Sequence, residues 1–301
     1  YNYAFVEGAG GAPSVFDTPV NQAARDVFDV SQPVASQMLP LVNYIKNLAL
    51  HQPVSVAFPY TEDPFAAPPV QLAHTELTAM SLHNHNITVL PNDYSPFTEP
   101  PTGEGPAAAA AKLVAQQHPT VVILGSTDVP MVKAFVDTFQ QNNYNPQLFV
   151  AASGPDQGAA FANAVGPHNV AGIMVPDSWY GGVANTDSQR MVREYIAKYG
   201  GTPADVNADV AEAYSVGEVM AQAITATGGV DNAKIIQYLH SGAIMQTVQG
   251  KVQFDALGEN SGAVGFMFQW TTNGSFVPGL SNDGTAASSQ FLAVKPNWGA
   301  G

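Results

Sequence analysis

Two segments decide the fold: Pro119-Thr-Val-Val-Ile-Leu-Gly-Ser-Thr-Asp128 and Gln147-Leu-Phe-Val-Ala-Ala-Ser-Gly-Pro-Asp156. Residues 121–124 and 148–151 are short apolar runs, the pattern of strands buried on both faces. Between the runs, apolar side chains recur at the three- and four-residue steps of an amphipathic helix: Val132, Phe135, Val136 and Phe139. This order predicts a right-handed βαβ unit with parallel strands.

Each of the two predicted strands ends in a polar loop. Gly125 to Asp128 follows the first strand, and Gly154-Pro-Asp156 follows the second. Open parallel sheets bind ligands outside the carboxyl ends of their strands. The sequence therefore predicts that both loops lie at one ligand-binding edge.

Length and composition exclude several classes of protein. The chain has 301 residues, and a single core stops growing near about 250–300 residues, so we expect two lobes. The net charge is −14 and there is no basic run, so nucleic acid and anionic membranes are poor partners. The chain has no cysteine, which excludes disulfides and thiolate zinc sites.

No apolar run approaches the ~18 residues of a membrane-spanning helix. The chain begins at Tyr1 instead of a methionine. We therefore expect that an N-terminal segment with a signal peptide has been removed.

A glycine-rich loop, Gly8 to Ser14, follows a predicted strand over residues 3–7. Such a loop can direct several backbone N–H groups at one anion. It is not a dinucleotide-binding loop, because Pro13 stands where the third glycine belongs, and it has no lysine for a phosphate loop. The alternative is a loop that needs glycine only for positive φ.

Other polar pairs favour structural interpretations over chemistry. Glu62 and Asp63 are sequence neighbours, which point to opposite sides of an extended segment, so solvated loop acids are favoured over paired catalytic carboxylates. His83 and His85 do not share a helix face, which favours an exposed turn over a metal site. Known catalytic motifs are absent, so the sequence predicts a binding protein without cofactor or metal instead of an enzyme.

In the C-terminal part of the chain the spacing of apolar residues changes from the helical period to a period of two. From Val248 apolar residues alternate with polar ones, which predicts a strand over 248–254 and, beyond it, strands around 266–270 and 276–277. Asn273-Gly274 between the last two predicts a hairpin turn.

Motifs along essentially the whole chain resemble the substrate-binding proteins of branched-chain amino-acid and amide ABC transporters, which are Leu/Ile/Val-binding-protein-like and have the type I periplasmic-binding-protein fold. Tyr60-Thr-Glu-Asp-Pro-Phe65 looks like the family's YEDDPFG strand end, with Ala66 replacing the last glycine. The other motifs that resemble the family's are Gly8 to Phe16, Pro119 to Leu124, Tyr199-Gly-x-x-Pro203, Ala211-x-x-Tyr214, Thr247 to Gly258, Gln269 to Phe276 and Lys295-Pro-Asn-Trp298.

The resemblance implies an α/β fold with two lobes, each a mostly parallel sheet flanked by helices. Lobe one would hold residues 1–29 and 177–262, and lobe two residues 30–176 and 263–301. The protein would be an extracytoplasmic solute-binding protein, periplasmic, cell-surface or secreted. It would capture a small amino acid or amide in the interlobe cleft and deliver it to a membrane ABC permease.

The resemblance also implies roles for individual residues. Backbone N–H groups around Gly10, Gly11 and Ala12, with the Ser14 hydroxyl, would hold the ligand's α-carboxylate. Asp156 would hold its α-ammonium. Further positions would line the pocket for the ligand's side chain: Tyr60, Thr127, Asp128, Trp179 and Tyr180.

The sequence departs from the family at its start. Family members have further strand–helix units before the glycine-rich loop, so lobe one is expected to be N-terminally incomplete. The missing units would be a separate N-terminal chain, a segment that was not determined, or units lost from a protein repurposed for assembly. Two alternative functions therefore stay open: an extracellular structural or assembly protein that self-associates through the incomplete lobe, and a ligand-sensing domain.

Overall fold

The computed structural model describes residues 3–8, 10–93, 95–98, 105–181, 185–203 and 206–299. The chain forms two compact units, each built from two stretches of sequence. Unit 1 holds Tyr1–Val34 and Asp177–Gly265, and unit 2 holds Ala35–Pro176 and Phe266–Gly301. The unit boundaries after Val34 and Gly265 lie a few residues beyond the boundaries that the sequence predicted after residues 29 and 262.

Strands and helices alternate through most of the chain. The strands are β1 (Phe5–Glu7), β2 (Val27–Asp29), β3 (Val54–Ala57), β4 (Ile87–Val89), β5 (Val121–Leu124), β6 (Leu148–Ala151), β7 (Ile173–Asp177), β8 (Met245–Thr247), β9 (Gly250–Val252), β10 (Phe266–Trp270) and β11 (Phe276–Leu280). The helices are α1 (Pro13–Phe16), α2 (Pro19–Ala24), α3 (Leu39–Leu48), α4 (Ala67–Ser81), α5 (Gly105–Gln117), α6 (Val129–Gln141), α7 (Gly158–Val165), α8 (Thr186–Tyr199), α9 (Ala208–Thr227) and α10 (Asn232–Leu239), with a 3₁₀ helix over Val34–Met38.

Unit 2 is built on a seven-stranded sheet in the order β11-β10-β7-β6-β5-β3-β4. β4, β3, β5, β6 and β7 pair in parallel, and β10 pairs with β11 antiparallel. Every residue of β5 and β6 is buried, because apolar clusters cover both faces of the sheet. The predicted α/β class, with a mostly parallel central sheet flanked by helices, is confirmed.

The predicted βαβ unit is confirmed as β5-α6-β6. β5 and β6 pair in parallel with Val121 opposite Leu148 and Leu124 opposite Ala151. α6 begins where the Asp128 carboxylate accepts a hydrogen bond from the Met131 N–H at 2.9 Å, which satisfies one of the free donors of the first turn. Its apolar side, with Val132, Phe135 and Phe139, is fully buried.

In the described part of unit 1 the strands form two separate pairs. β1 and β2 pair in parallel, and β8 and β9 form an antiparallel hairpin. The predicted strand over residues 248–254 is shorter in the structure, where β9 covers Gly250–Val252, because the chain turns at 248–249 to pair β9 with β8. Helices α9 and α10 pack on these pairs around Phe28, Val252 and Phe254.

The 20-residue α9 is the longest helix of the described residues. Asn207 caps its start by accepting from the Val210 N–H, and Gly228 ends it in the left-handed region. Among the described residues no helix combines the length and apolarity needed to cross a membrane.

Candidate functional site

The polar loops that follow β5 and β6 meet at one edge of the unit 2 sheet, as predicted. The Ser126 hydroxyl donates to the Ser153 carbonyl at 2.6 Å, and the Ser153 N–H donates to the Ser126 oxygen at 3.2 Å. These reciprocal bonds tie the loop at Gly125–Asp128 to the loop at Ser153–Asp156. We call these two loops together with Tyr60 the rim.

Glycine at position 125 allows the rim to close. Gly125 bridges to Tyr60 just beyond the paired part of the strands, and its N–H donates to the Pro59 carbonyl at 2.8 Å. A Cβ at position 125 would lie 2.6 Å from the Tyr60 Cβ and 2.8 Å from the Ala66 carbonyl oxygen. Any other residue would therefore push the end of β3 away from the end of β5.

Asp156 is the partly exposed acid of the rim. Its Oδ1 accepts from the Gly154 N–H at 2.8 Å, and the Gln157 amide lies 3.5 Å from its Oδ2. The Trp270 indole N–H donates to the Pro155 carbonyl at 2.8 Å. The carboxylate is therefore held in one place by its own loop and by a buried ring, so it is preorganised.

The other acids near the rim have local structural partners. Asp128 is exposed and caps α6, while Thr127 beside it is half-buried. The Asp63 Oδ1 accepts from the Phe65 and Ala66 N–H groups at 2.8 and 2.9 Å, so this acid organises the turn into α4. Glu62 is exposed. These positions agree with the interpretation of Glu62 and Asp63 as acids of a surface loop.

Sequence reasoning missed Thr61, which lies between Tyr60 and Glu62. Its side chain is 1% exposed, and its hydroxyl oxygen has no hydrogen-bond partner among the described residues. A buried hydroxyl without a partner has a desolvation cost of about 1–3 kcal/mol. Its position after a parallel strand was the only signal in the sequence.

In unit 1 the glycine-rich loop packs against a carboxylate of the protein itself. Gly11 is buried with φ of 66°, and a Cβ there would lie 2.8 Å from the Gln32 carbonyl and 3.1 Å from the Asp29 Oδ2. Glycine is therefore required for conformation and for close approach. Ala12 is extended and leads into α1, Ser14 is exposed, and Ala9 lies outside the described residues.

Asp29 ends β2 and is 1% exposed. Its carboxylate accepts from the Ser31 N–H and from the Ser31 hydroxyl, both at 2.8 Å. Burial raises the pKa of Asp29 to about 7, and the Glu7 carboxylate adds to the increase, while the bonds from Ser31 and from the Gly11 N–H oppose it. One N–H of the loop thus already faces a protein carboxylate.

Glu212 of α9 is a second buried acid beside Asp29. It is 7% exposed and accepts from the Ser178 hydroxyl at 3.2 Å. Burial raises its pKa to about 9, and the charges of Asp177, Asp29 and Asp209 add to the increase. We define the acidic cluster as Glu7, Asp29, Asp177 and Glu212, of which the first three are the last residues of β1, β2 and β7.

The predicted aromatic pair of the side-chain pocket is divided between two environments. Trp179 is 2% exposed and packs with Met191, Val192 and Val248. Its indole N–H donates to both the Ser188 hydroxyl and the Val248 carbonyl, each at 3.2 Å. The structure thus places Trp179 in a core, while Tyr180 is half-buried.

The predicted site residues therefore fall into two groups. Gly10, Gly11, Ala12 and Ser14 lie with the acidic cluster in unit 1, and the rim residues lie in unit 2. Within the described ranges, no group of three histidine, aspartate or glutamate side chains is arranged to hold a metal ion.

A family model shows which protein family the chain belongs to. The family model described as periplasmic binding protein matches residues 6–275. The chain belongs to the periplasmic binding protein family. This confirms the predicted type I periplasmic-binding-protein fold of the Leu/Ile/Val-binding family. No curated protein matches the chain.

Solved structures show the same fold at low sequence identity. An ABC transporter substrate-binding protein from Desulfitobacterium hafniense is 14% identical with a TM-score of 0.68, and the match covers 92% of this chain and 73% of that one. The leucine binding protein LivK from Thermotoga maritima is 17% identical with a TM-score of 0.65, covering 85% and 68%. A solute binding protein from R. palustris in complex with benzoate is 13% identical with a TM-score of 0.65, covering 96% and 73%.

Proposed function

We propose that this periplasmic binding protein is the extracytoplasmic solute-binding component of an ABC uptake system, and that its ligand is a small amino acid or amide. The rim carries the proposal, because Asp156 presents a fixed carboxylate beside the paired loops after β5 and β6. Structural relatives that bind leucine and benzoate support a small ligand. The protein acts by binding and release to a membrane permease, without catalysis.

Asp156 holds the ligand's ammonium group in this proposal. A preorganised carboxylate binds a cation without the cost of ordering its own side chain. Tyr60 and Thr127 belong to the same rim and line the side-chain pocket in this proposal, and Tyr180 is the remaining aromatic candidate for that pocket.

The loop at Gly10–Ser14 holds the ligand's carboxylate in this proposal. The nearby acidic cluster is compatible with an anion only when it carries little charge. At neutral pH a pKa of about 9 keeps Glu212 protonated, and a pKa of about 7 leaves Asp29 only partly ionised. Ligand affinity is therefore expected to fall as the pH rises and these groups ionise.

The test is calorimetric titration of refolded, ligand-stripped protein with amino acids and short amides. Asp156→Asn should weaken binding of the best ligand by about 2–5 kcal/mol, which is at least about 30-fold. Asp93→Asn, at an exposed position of unit 2, is the matched control and should bind as the wild type does. The proposal would be refuted if none of the ligands gave a heat of binding with folded protein, or if Asp156→Asn bound the best ligand as tightly as the wild type.

A further inference from the structure

A polar pocket of about 330 Å³ lies in unit 2 on the sheet edge opposite the rim. The rim follows the carboxyl ends of β5 and β6, whereas this pocket is formed where the chain leaves α6 and has not yet entered β6. Its lining residues are Gln140, Asn143, Tyr144, Asn145, Asn297, Trp298 and Gly299. β6 separates the two places, because its two ends belong to opposite edges of the sheet.

The C-terminal segment is fixed against the start of β6 and forms one wall of the pocket. The Lys295 N–H donates to the Gln147 carbonyl at 2.8 Å, and the Trp298 indole N–H donates to the Tyr144 carbonyl at 2.8 Å. The Gly299 N–H donates to the Asn169 Oδ1 at 3.0 Å. The pocket is therefore preformed, as ligand sites usually are.

Asn145 joins the two walls and leaves one acceptor unused. Its Nδ2 lies 3.5 Å from the Lys295 carbonyl, 3.3 Å from the Pro296 carbonyl and 3.2 Å from the Asn297 Oδ1. Its Oδ1 is buried and accepts no hydrogen bond from the described residues. A buried acceptor of this kind is costly unless a donor reaches it.

The lining contains carboxamides and aromatic rings but no lysine, arginine, aspartate or glutamate. Carboxamides both donate and accept hydrogen bonds, which matches hydroxyl groups. An amino acid, a phosphate or an amine would find no charged partner in the lining, and burial of an unpaired charge is expensive. The chemistry of the pocket favours a neutral ligand with several hydroxyl groups.

Trp298 supplies an apolar surface beside these amides. Its ring is half-buried, packs against the core of unit 2, and has the Lys295 Nζ 3.3 Å from its centroid. A flat nucleobase needs an open ring face for stacking, and the Lys295 amine occupies one face. Of the two aromatic rings in the lining, Trp298 is half-buried whereas Tyr144 is 4% exposed, so Trp298 is the ring that the C–H surface of a sugar can contact.

We propose that this pocket is a second binding site and that its ligand is a neutral saccharide. Small-molecule sites measure about 300–1,000 Å³, so the pocket suits a ligand of one or two sugar rings. The site is independent of the proposed amino-acid site at the rim. It would let the protein respond to, or attach to, a carbohydrate while its rim is free or occupied.

The experiment titrates the full chain with glucose, N-acetylglucosamine, maltose and cellobiose, by calorimetry and by iodide quenching of tryptophan fluorescence. Trp179 and Trp270 are 2% and 6% exposed, so Trp298 dominates the quenchable signal. At least one saccharide should bind saturably and protect this signal. Asn297→Ala, at an exposed position, should weaken that binding about tenfold, the upper end of one neutral hydrogen bond.

A second pocket variant and two controls make the outcome specific. Trp298→Phe should also weaken binding, whereas Asn47→Ala on the exposed side of α3 should not. Asp156→Asn should leave saccharide binding unchanged, which separates this site from the rim. The proposal is overturned if no saccharide binds folded protein, if adenosine competes for the site, if both pocket variants bind normally, or if Asp156→Asn abolishes saccharide binding.

Discussion

Replacement of Glu212 by glutamine tests the protonation of the acidic cluster. A glutamine keeps the shape of the side chain and the acceptor for the Ser178 hydroxyl, but it cannot ionise. In the folded protein burial raises the pKa of Glu212 from 4.5 to about 9. Between these values the folded state holds one more proton than the unfolded state, so this group's stabilisation falls as pH rises.

The magnitude follows from that single proton. One proton bound only in the folded state changes the unfolding free energy by about 1.4 kcal/mol per pH unit. Relative to the wild type, Glu212→Gln should therefore gain up to about 1.4 kcal/mol for each pH unit between pH 5 and pH 9. The difference between the two proteins reports the titration of Glu212 together with its coupling to Asp29, because Lys295 titrates in both of them.

Urea unfolding at pH 5, 6, 7, 8 and 9 measures this difference. Unit 1 must be followed separately from unit 2, because two units need not unfold together. Glu194→Gln on α8, where the side chain is 63% exposed, is the matched control and should give a flat line. A flat line for Glu212→Gln as well would refute the assignment of a buried, protonated glutamate.

Other predictions concern unit 2 and α9. Gly125→Ala should destabilise unit 2 by about 1–3 kcal/mol because its Cβ would lie 2.6 Å from the Tyr60 Cβ. By contrast, Gly217→Ala should stabilise the protein by about 0.4–1 kcal/mol, since nothing lies within 4 Å of the new Cβ in α9. Burial lowers the pKa of Lys295 to about 7, so the folded wild type gains stability as pH rises from 7 to 10. The stability of Lys295→Met relative to the wild type should therefore fall over that range by about 1 kcal/mol per pH unit. Urea unfolding measures the effects of all three substitutions, and for Lys295→Met it is repeated at each pH. A stability difference between Lys295→Met and the wild type that does not change with pH would contradict the lowered pKa of Lys295.

The sequence by itself determined the elements whose patterns are local. The apolar runs at 121–124 and 148–151 and the helix between them follow from side-chain periodicity, and they appear as β5, α6 and β6. The meeting of the loops at Ser126 and Ser153 also followed, because parallel pairing puts both strand ends at one edge. The order of the motifs along the chain also predicted the family, and the match of the family model over residues 6–275 confirms it.

Only the tertiary structure decided which side chains are buried and what they contact. The sequence predicts Trp179, beside Tyr180, as an aromatic residue of the ligand pocket. In the structure its indole N–H instead donates to Ser188 and Val248, which lie in other segments of the chain. The acidic cluster brings together Glu7, Asp29, Asp177 and Glu212, residues separated by long stretches of chain, so no local pattern indicates the raised pKa values of Asp29 and Glu212. The pocket that Trp298 lines likewise forms only because the C-terminal segment packs beside Tyr144. Period and turn chemistry act between near neighbours in sequence, whereas desolvation and hydrogen-bond partners are set by residues that folding brings close.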